Sequence, residues 1–194
     1  MKRLILPTNI LIKWIIYYNV YMFTRLTPFA VSQNIYDIDV NFFVKNKIKY
    51  IFCDLDNTLD AYYSEIASDK AIDFKNKVQK KGIKLIVISN NTKKRVSKYA
   101  KSLNCDYLYS TRKPLIFKLK SFIKKNQIDK NNAIIIGDQV FTDVWFGNRL
   151  EIKTILCENL VPKDQFFTKI NKFFDKYIRK YLTKKGRMKN WREL

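Results

Sequence analysis

Ile48-Lys49-Tyr50-Ile51-Phe52-Cys53, followed at once by Asp54-Leu55-Asp56-Asn57-Thr58-Leu59, is the stretch that decides the fold. A run of strand length, apolar but for Lys49, ends on a carboxylate, and a second carboxylate stands two residues on. Unbroken apolar runs belong to strands buried on both faces, the condition of a parallel sheet. The junction recurs. Lys84–Ile88 ends at Ser89-Asn90-Asn91, and residues 133–136 end at Gly137-Asp138, with Thr142-Asp143 shortly after. Between these two lies a fourth polar patch, Arg112-Lys113-Pro114. Each patch alone is common; their order and their place at strand ends are not.

The intervening segments read as helices. Residues 67–81 are periodic and closed by Gly82, a C′ residue. Thr92 can cap a helix reaching Leu103. Pro114 sits at the favoured first position of a helix running to Lys125, and residues 140–149 are helical. Residues 107–109 and Lys153–Cys157 are further strands. Strands alternating with amphipathic helices predict an α/β fold, a Rossmann-like doubly wound parallel sheet covered on both faces. Ligands bind beyond the carboxyl ends of such strands, so Asp54, Ser89 and Asp138 are expected to converge.

Composition narrows the chemistry. The chain of 194 residues suits one domain, and 47% hydrophobic content with 15% aromatics excludes wholesale disorder. It contains no histidine, which removes imidazole bases and His-ligated zinc and leaves carboxylates and Lys. Cys53, Cys105 and Cys157 lie in or beside apolar runs without metal-site spacing, and read as small core residues in a reducing compartment. The net charge of +21 points to anionic partners: nucleic acid, anionic lipid or phosphorylated substrates. A solvated Lys-rich surface, as an AT-rich coding genome produces, accounts for the bulk excess equally well.

A carboxylate is ionised at neutral pH and needs no activating base, so Asp54 is the candidate nucleophile, able to form an aspartyl-phosphate. Its alternative is to cap the loop after the strand. Asp56 is placed to protonate the leaving oxygen and then to deprotonate water. Asn57 and Thr58 either offer donors to a phosphate or shape a tight turn. A phosphate beside carboxylates requires a cation, and Mg²⁺ prefers oxygen ligands. Asp54 and Asp138 can supply carboxylates, with the Asp56 backbone carbonyl as a third ligand. Asp143 stands behind them or serves as an alternate ligand. Ser89 and Asn90 can hold phosphate oxygens, and Lys113 can neutralise charge in the transition state. Arg112 is either a helper to Lys113 or a solvated cation.

These residues resemble the four motifs of the HAD (haloacid dehalogenase-like) phosphohydrolases: Asp54 and Asp56 in the first, Ser89 in the second, Lys113 in the third, Asp138 and Asp143 in the fourth. The gaps between motifs are too short for a lid, so the resemblance is to the capless subfamily III. Leu26-Thr27-Pro28-Phe29, Ile35-Tyr36-Asp37-Ile38-Asp39 and Gly147-Asn148-Arg149 make the chain similar to the YqeG-like IIIA phosphatases over about residues 24–185. That family is related to mitochondrial-type phosphatidylglycerophosphate phosphatases. The resemblance implies a HAD core without a separate cap domain, Mg²⁺ as cofactor, and a phosphate monoester, phosphatidylglycerophosphate, as substrate.

The expected organisation is an apolar extension over 1–23, a phosphatase core over 24–160 and a basic amphipathic helix and tail over 161–194. Pro7, Asn9, Lys13 and Asn19 interrupt the extension, which falls short of the ~20 apolar residues that span a bilayer. It reads as an interfacial helix, a packing helix, or sequence upstream of a start at Met22. In the tail, Phe166, Phe167, Ile170, Phe173, Phe174, Tyr177, Ile178, Tyr181 and Leu182 recur at helical spacing. Lys163, Lys169, Lys172, Lys176, Arg179 and Lys180 stand between them. Such a stripe either docks on an anionic membrane or packs as an ordinary final helix. The expected location is the cytoplasm, with peripheral attachment to the inner face of the membrane. A soluble phosphatase of small esters or nucleotides, and an RNA- or ribosome-associated protein, are the competing functions; neither RRM, KH nor OB signatures are present. The sequence leaves the oligomeric state open.

Overall fold

The apolar runs form strands in the computed structural model, which describes residues 23–161 and 168–194 (of 168–173, the backbone alone). The strands are β1 (Ala30–Ser32), β2 (Tyr50–Asp54), β3 (Lys84–Ile88), β4 (Asp106–Leu108), β5 (Ala133–Gly137) and β6 (Lys153–Cys157). All pairings between them are parallel, in the order β1-β6-β5-β2-β3-β4. The helices are α1 (Val40–Lys45), α2 (Asp69–Lys80), α3 (Lys93–Leu103), α4 (Phe117–Lys125), α5 (Phe146–Leu150) and α6 (Thr168–Lys184). From β2 the chain steps outward to β3 and β4, then crosses back to β5 and β6. The reversal opens a crevice beyond β2 and β5, where doubly wound sheets bind ligands. Cys53 is level with Val87 and Ile136, which brings Asp54 beside the Gly137-Asp138 turn.

Period-two alternation sends successive strand residues to opposite faces. Ile51, Cys53, Leu85, Val87, Ile134 and Ile136 pack with Phe43 of α1, Phe74 and Val78 of α2, and Val96 and Tyr99 of α3. Phe52, Ile86, Ile88 and Ile135 pack on the other face with Leu119 and Ile123 of α4 and Phe146 and Leu150 of α5. On that second face Leu156 meets Ile178 and Leu182 of α6. Full burial of a Leu, Ile or Phe side chain stabilises by about 1.5–3 kcal/mol, so these strands hold the sheet from both sides. Among the described residues no inserted domain stands over the strand ends, and no helix is long and apolar enough to cross a membrane.

Several local expectations are corrected. Pro114 does not open α4; it follows Lys113 in a turn closed by Leu115 N–H to the Arg112 carbonyl (2.8 Å), and the helix starts at Phe117. Thr92 occupies the N-cap of α3 but makes no side-chain capping bond. Residues 140–149 split into a π-helical turn, Val140–Trp145, and α5. Strand β1 and helix α1 are additions beyond the predicted alternation. Gly82 (φ +73°) closes α2 as expected.

The C-terminal stripe serves the core in its described part. Ile178 and Leu182 are buried, Tyr181 stacks on Phe23 with ring centroids 4.1 Å apart, and Phe174 and Tyr177 remain exposed. After α6 the chain reverses at Gly186 (φ +64°). It then crosses the edge of the sheet, where Val31 N–H donates to the Lys189 carbonyl (2.8 Å). Trp191 comes to lie against Phe42 on the opposite face (centroids 5.8 Å apart). Expectations that concern residues 1–22, Lys163, Phe166, Phe167 and the side chains of Lys169, Ile170, Lys172 and Phe173 fall outside the described residues.

Candidate active site

The crevice beyond β2 and β5 holds a cavity of about 260 Å³ lined by Asp54, Asp56, Ser89, Asn90, Asn91, Lys113, Gln139 and Thr142. Lys113 Nζ donates to Asp54 Oδ1 and to Asp143 Oδ1, each at 2.6 Å. All three groups are buried. Asp54, Asp138 and Asp143 each bring a carboxylate oxygen to within 4.8 Å of the others. Two backbone features put Asp143 there. The π-helical turn re-aims it toward the strand ends, with its N–H and that of Val144 both donating to the Gln139 carbonyl (3.1 and 3.3 Å). Gly137 leaves the space it fills: a Cβ at Gly137 would meet Asp143 Cγ at 2.2 Å.

Asp56 is turned to α3. Arg95 Nη2 and Nε donate to its Oδ1 (2.5 and 3.2 Å), and Asn91 Nδ2 and Ser89 Oγ to its Oδ2 (2.7 and 3.4 Å). The same guanidinium donates to the carbonyls of Tyr62 and Ser64, so it ties the loop after β2 to Asp56. That loop is fixed from beneath by Asp60, whose Oδ2 accepts from the Tyr99 hydroxyl (2.5 Å) and from Ser68 N–H (3.0 Å).

Ser89 and Asn90 reach the cavity. The Asn90 amide, however, is engaged with the next loop, accepting from Lys113 N–H (2.7 Å) and Thr111 Oγ1 (2.9 Å) and donating to the Lys113 carbonyl (3.1 Å). It therefore positions Lys113. Asn57 takes the left-handed conformation (φ +69°), and its amide bonds Val161 and Tyr62 backbone away from the cavity. Thr58 Oγ1 is buried without a hydrogen-bond partner among the described residues, and Thr58 does not line the cavity. Arg112 is exposed.

Burial is the main influence on Asp54. It raises the carboxyl, Lys113 pulls it down, Asp143 and Asp56 push it up, and together they leave it at about 6. Burial acts the other way on Lys113, but Asp143 and Asp54 outweigh it and hold the ammonium above its usual range. Around the cavity, the four carboxylates of Asp54, Asp56, Asp138 and Asp143 stand against the cations of Lys113 and Arg95. An all-oxygen donor set with this surplus of negative charge fits a hard divalent cation such as Mg²⁺. Asp54, Asp138 and Asp143 are the residues that could hold it.

Sequence reasoning missed Arg95, Asn91, Gln139, Arg179 and Asp175. Arg179 of α6 donates to the Asp138 carbonyl (2.7 Å) and pairs with Asp175 (2.7 Å), whose Oδ1 accepts from Val140 N–H (2.6 Å). The last helix thus braces the turn that carries Asp138 and Asp143. A signal for Arg95 was present: α3 opens Lys93-Lys94-Arg95 at the positive end of the helix dipole, a poor place for cations unless an anion is near. A larger groove of about 920 Å³ runs between residues 34–41 and α2. It lacks convergent carboxylates around a buried Lys, and the chemistry belongs to the smaller cavity.

The sequence profile of the mitochondrial PGP phosphatase family matches residues 18–161. The chain belongs to this family. Probable phosphatase YqeG of Bacillus subtilis (strain 168) is 31% identical over 166 residues, covering 86% of this chain and 96% of that one. The resemblance to YqeG-like phosphatases is therefore borne out, as is the α/β sheet, with no cap domain among the described residues. Among solved structures, the chain resembles 3-deoxy-D-manno-octulosonate 8-phosphate phosphatase from Moraxella catarrhalis, in complex with magnesium, phosphate and KDO. That match has 16% identity, a TM-score of 0.46, and covers 73% of this chain and 98% of that one. An uncharacterized protein from Listeria monocytogenes serotype 4b gives 19% identity and a TM-score of 0.49, over 61% of this chain and 84% of that one.

Proposed function

We propose that this member of the family is a Mg²⁺-dependent phosphatase working through an aspartyl-phosphate on Asp54. The observation that carries the reading is Lys113 Nζ held 2.6 Å from both Asp54 and Asp143, on the floor of an open crevice. A phosphate entering the crevice meets the Lys113 ammonium, which offsets its charge, and Ser89 Oγ, which can donate to an oxygen. Bound Mg²⁺ would add neutralisation and alignment of the phosphate. Asp54 attacks phosphorus in line and the ester oxygen leaves. Asp56 supplies its proton, then takes one from the water that releases phosphate. The contacts from Arg95 and Asn91 position Asp56 for the second step, where it accepts the water's proton; for the first step Asp56 carries that proton and turns from them to the ester oxygen.

Phosphatidylglycerophosphate is the substrate that family membership supports, and in this reading the enzyme works at an anionic membrane surface from the cytoplasmic side. The organisation we propose is a phosphatase core over 24–160 followed by a basic helix and tail over 161–194, whose described part packs on the core. The test is turnover of phosphatidylglycerophosphate and p-nitrophenyl phosphate with Mg²⁺ or excess EDTA. We expect turnover only with Mg²⁺, and a loss on the order of 10³-fold or more in Asp54→Asn, because the amide is neither nucleophile nor good ligand. Unchanged turnover in that variant would refute the mechanism. Activity on p-nitrophenyl phosphate with none on the lipid would move the substrate to soluble esters.

A further inference from the structure

Large apolar side chains are exposed where this fold has least reason to expose them. In each βαβ unit the loop after the strand and the first turn of the helix lie on the face that carries the cavity. Tyr63 and Ile66, 65% and 62% exposed, are in the loop between β2 and α2. Leu115 and Phe117, 46% and 73% exposed, are in the approach to α4 and its first residue. The two pairs flank the crevice, because α2 and α3 cover one face of the sheet and α4 the other. Both loops are tied to the exit of β3. Arg95 holds the first, and the second donates from Ser110 N–H to the Asn91 carbonyl (2.8 Å) and from Thr111 N–H to the Ser89 carbonyl (3.0 Å). Lys93 opens α3 and Arg112 lies in the second loop, both exposed, while Glu65, between Tyr63 and Ile66, is neutralised by its ion pair with Lys98.

We infer that Tyr63, Ile66, Leu115 and Phe117, with Lys93 and Arg112, form a rim that docks the mouth of the site on an anionic bilayer. The inference rests on the phosphatase reading and names how its substrate arrives. A cavity of about 260 Å³ takes a phosphate and the first few atoms of the group that carries it, well short of a whole lipid. The rest of that group must lie on the rim. A folded partner or a second copy of the chain seated there would cover the mouth. A bilayer is the apolar partner that delivers a substrate with it, and apolar side chains among cations are the chemistry it binds. The surface is distinct from α6, where Ile178, Leu182 and Arg179 are committed to the core.

The experiment is co-sedimentation with phosphatidylglycerol/phosphatidylcholine vesicles. It compares the full chain, Tyr63→Ser/Ile66→Ser, Leu115→Ser/Phe117→Ser, and Tyr177→Ser as the α6 control. Each rim pair should lower binding about tenfold, Tyr177→Ser less than about twofold, and turnover of p-nitrophenyl phosphate should stay unchanged in all three. Phe117→Cys carrying an environment-sensitive fluorophore should shift to the blue on these vesicles, a readout that does not require the paired variants to fold. Wild-type binding by both rim pairs, an equal loss in Tyr177→Ser, or a probe that sees no vesicle overturns the rim. So does a wild-type dimer that the rim substitutions split while vesicle binding persists. A chain that binds vesicles through the rim but hydrolyses no phosphate ester would keep the surface and remove the phosphatase reading.

Discussion

Asp54 is a buried acid that the fold keeps at a cost, and the sign of that cost is testable. Its folded-state pKa, about 6, lies above the ordinary value of 3.8. A group raised in this way contributes stability that is fully present below its unfolded pKa and is lost as pH rises through the folded one. In EDTA, wild type should therefore lose stability relative to Asp54→Asn between about pH 4 and pH 7, since the amide does not titrate. Thermal unfolding of the two proteins across this range measures it. A difference in Tm that is flat with pH would mean that Lys113 already holds Asp54 ionised throughout. The cluster explains the Gly137 position as well: the carboxylate of Asp143 occupies the space of the missing side chain.

Helix α6 shows how an element distant in sequence reaches the site. Arg179 bonds the Asp138 and Cys157 carbonyls, Asp175 and Glu158 from a largely buried position. Arg179→Met should lower stability by about 2 kcal/mol, the worth of charged hydrogen bonds lost in a protected place, read as a Tm lower by roughly 4–8 °C. It should also slow turnover, because the Asp138 turn loses its brace. A variant with wild-type Tm and activity would show that α6 is only a cover. The chain's periodicity made this helix legible but not its task, because an Arg among Lys residues on a basic helix looks solvated until its partners are known. The buried strands were legible to the residue at Lys84–Ile88 and Lys153–Cys157, since their flanking residues change character sharply. Asp54, Lys113, Asp138 and Asp143 were legible from strand ends and motif order. Arg95 and Asn91 were not singled out, because their role is set by a tertiary contact with Asp56. The π-helical turn escaped for a similar reason, as its extra residue is invisible to a helical period.

The sheet exposes one edge at β4 and closes the other with its own C-terminal segment. Trp191 and Leu194 join the core cluster of α1 and α2, and Lys45 Nζ donates to the Leu194 carbonyl (2.9 Å). Trp191→Ala should cost about 2 kcal/mol, less than a fully buried Trp because the ring is only partly covered. Denaturant unfolding followed by far-UV circular dichroism reads it, and an unchanged midpoint would show the segment to be an ornament on the edge. The same arrangement bears on the order of events while the chain is being made. Strand β1 finds its backbone partners at β6 and at residues 189–190. Both lie far downstream, Ala30 being level with Ile155, so contacts of this sequence separation close late and slowly. Of the described strands, the one made first has to wait, unpaired, until β2 to β5 have been made and β6 follows them.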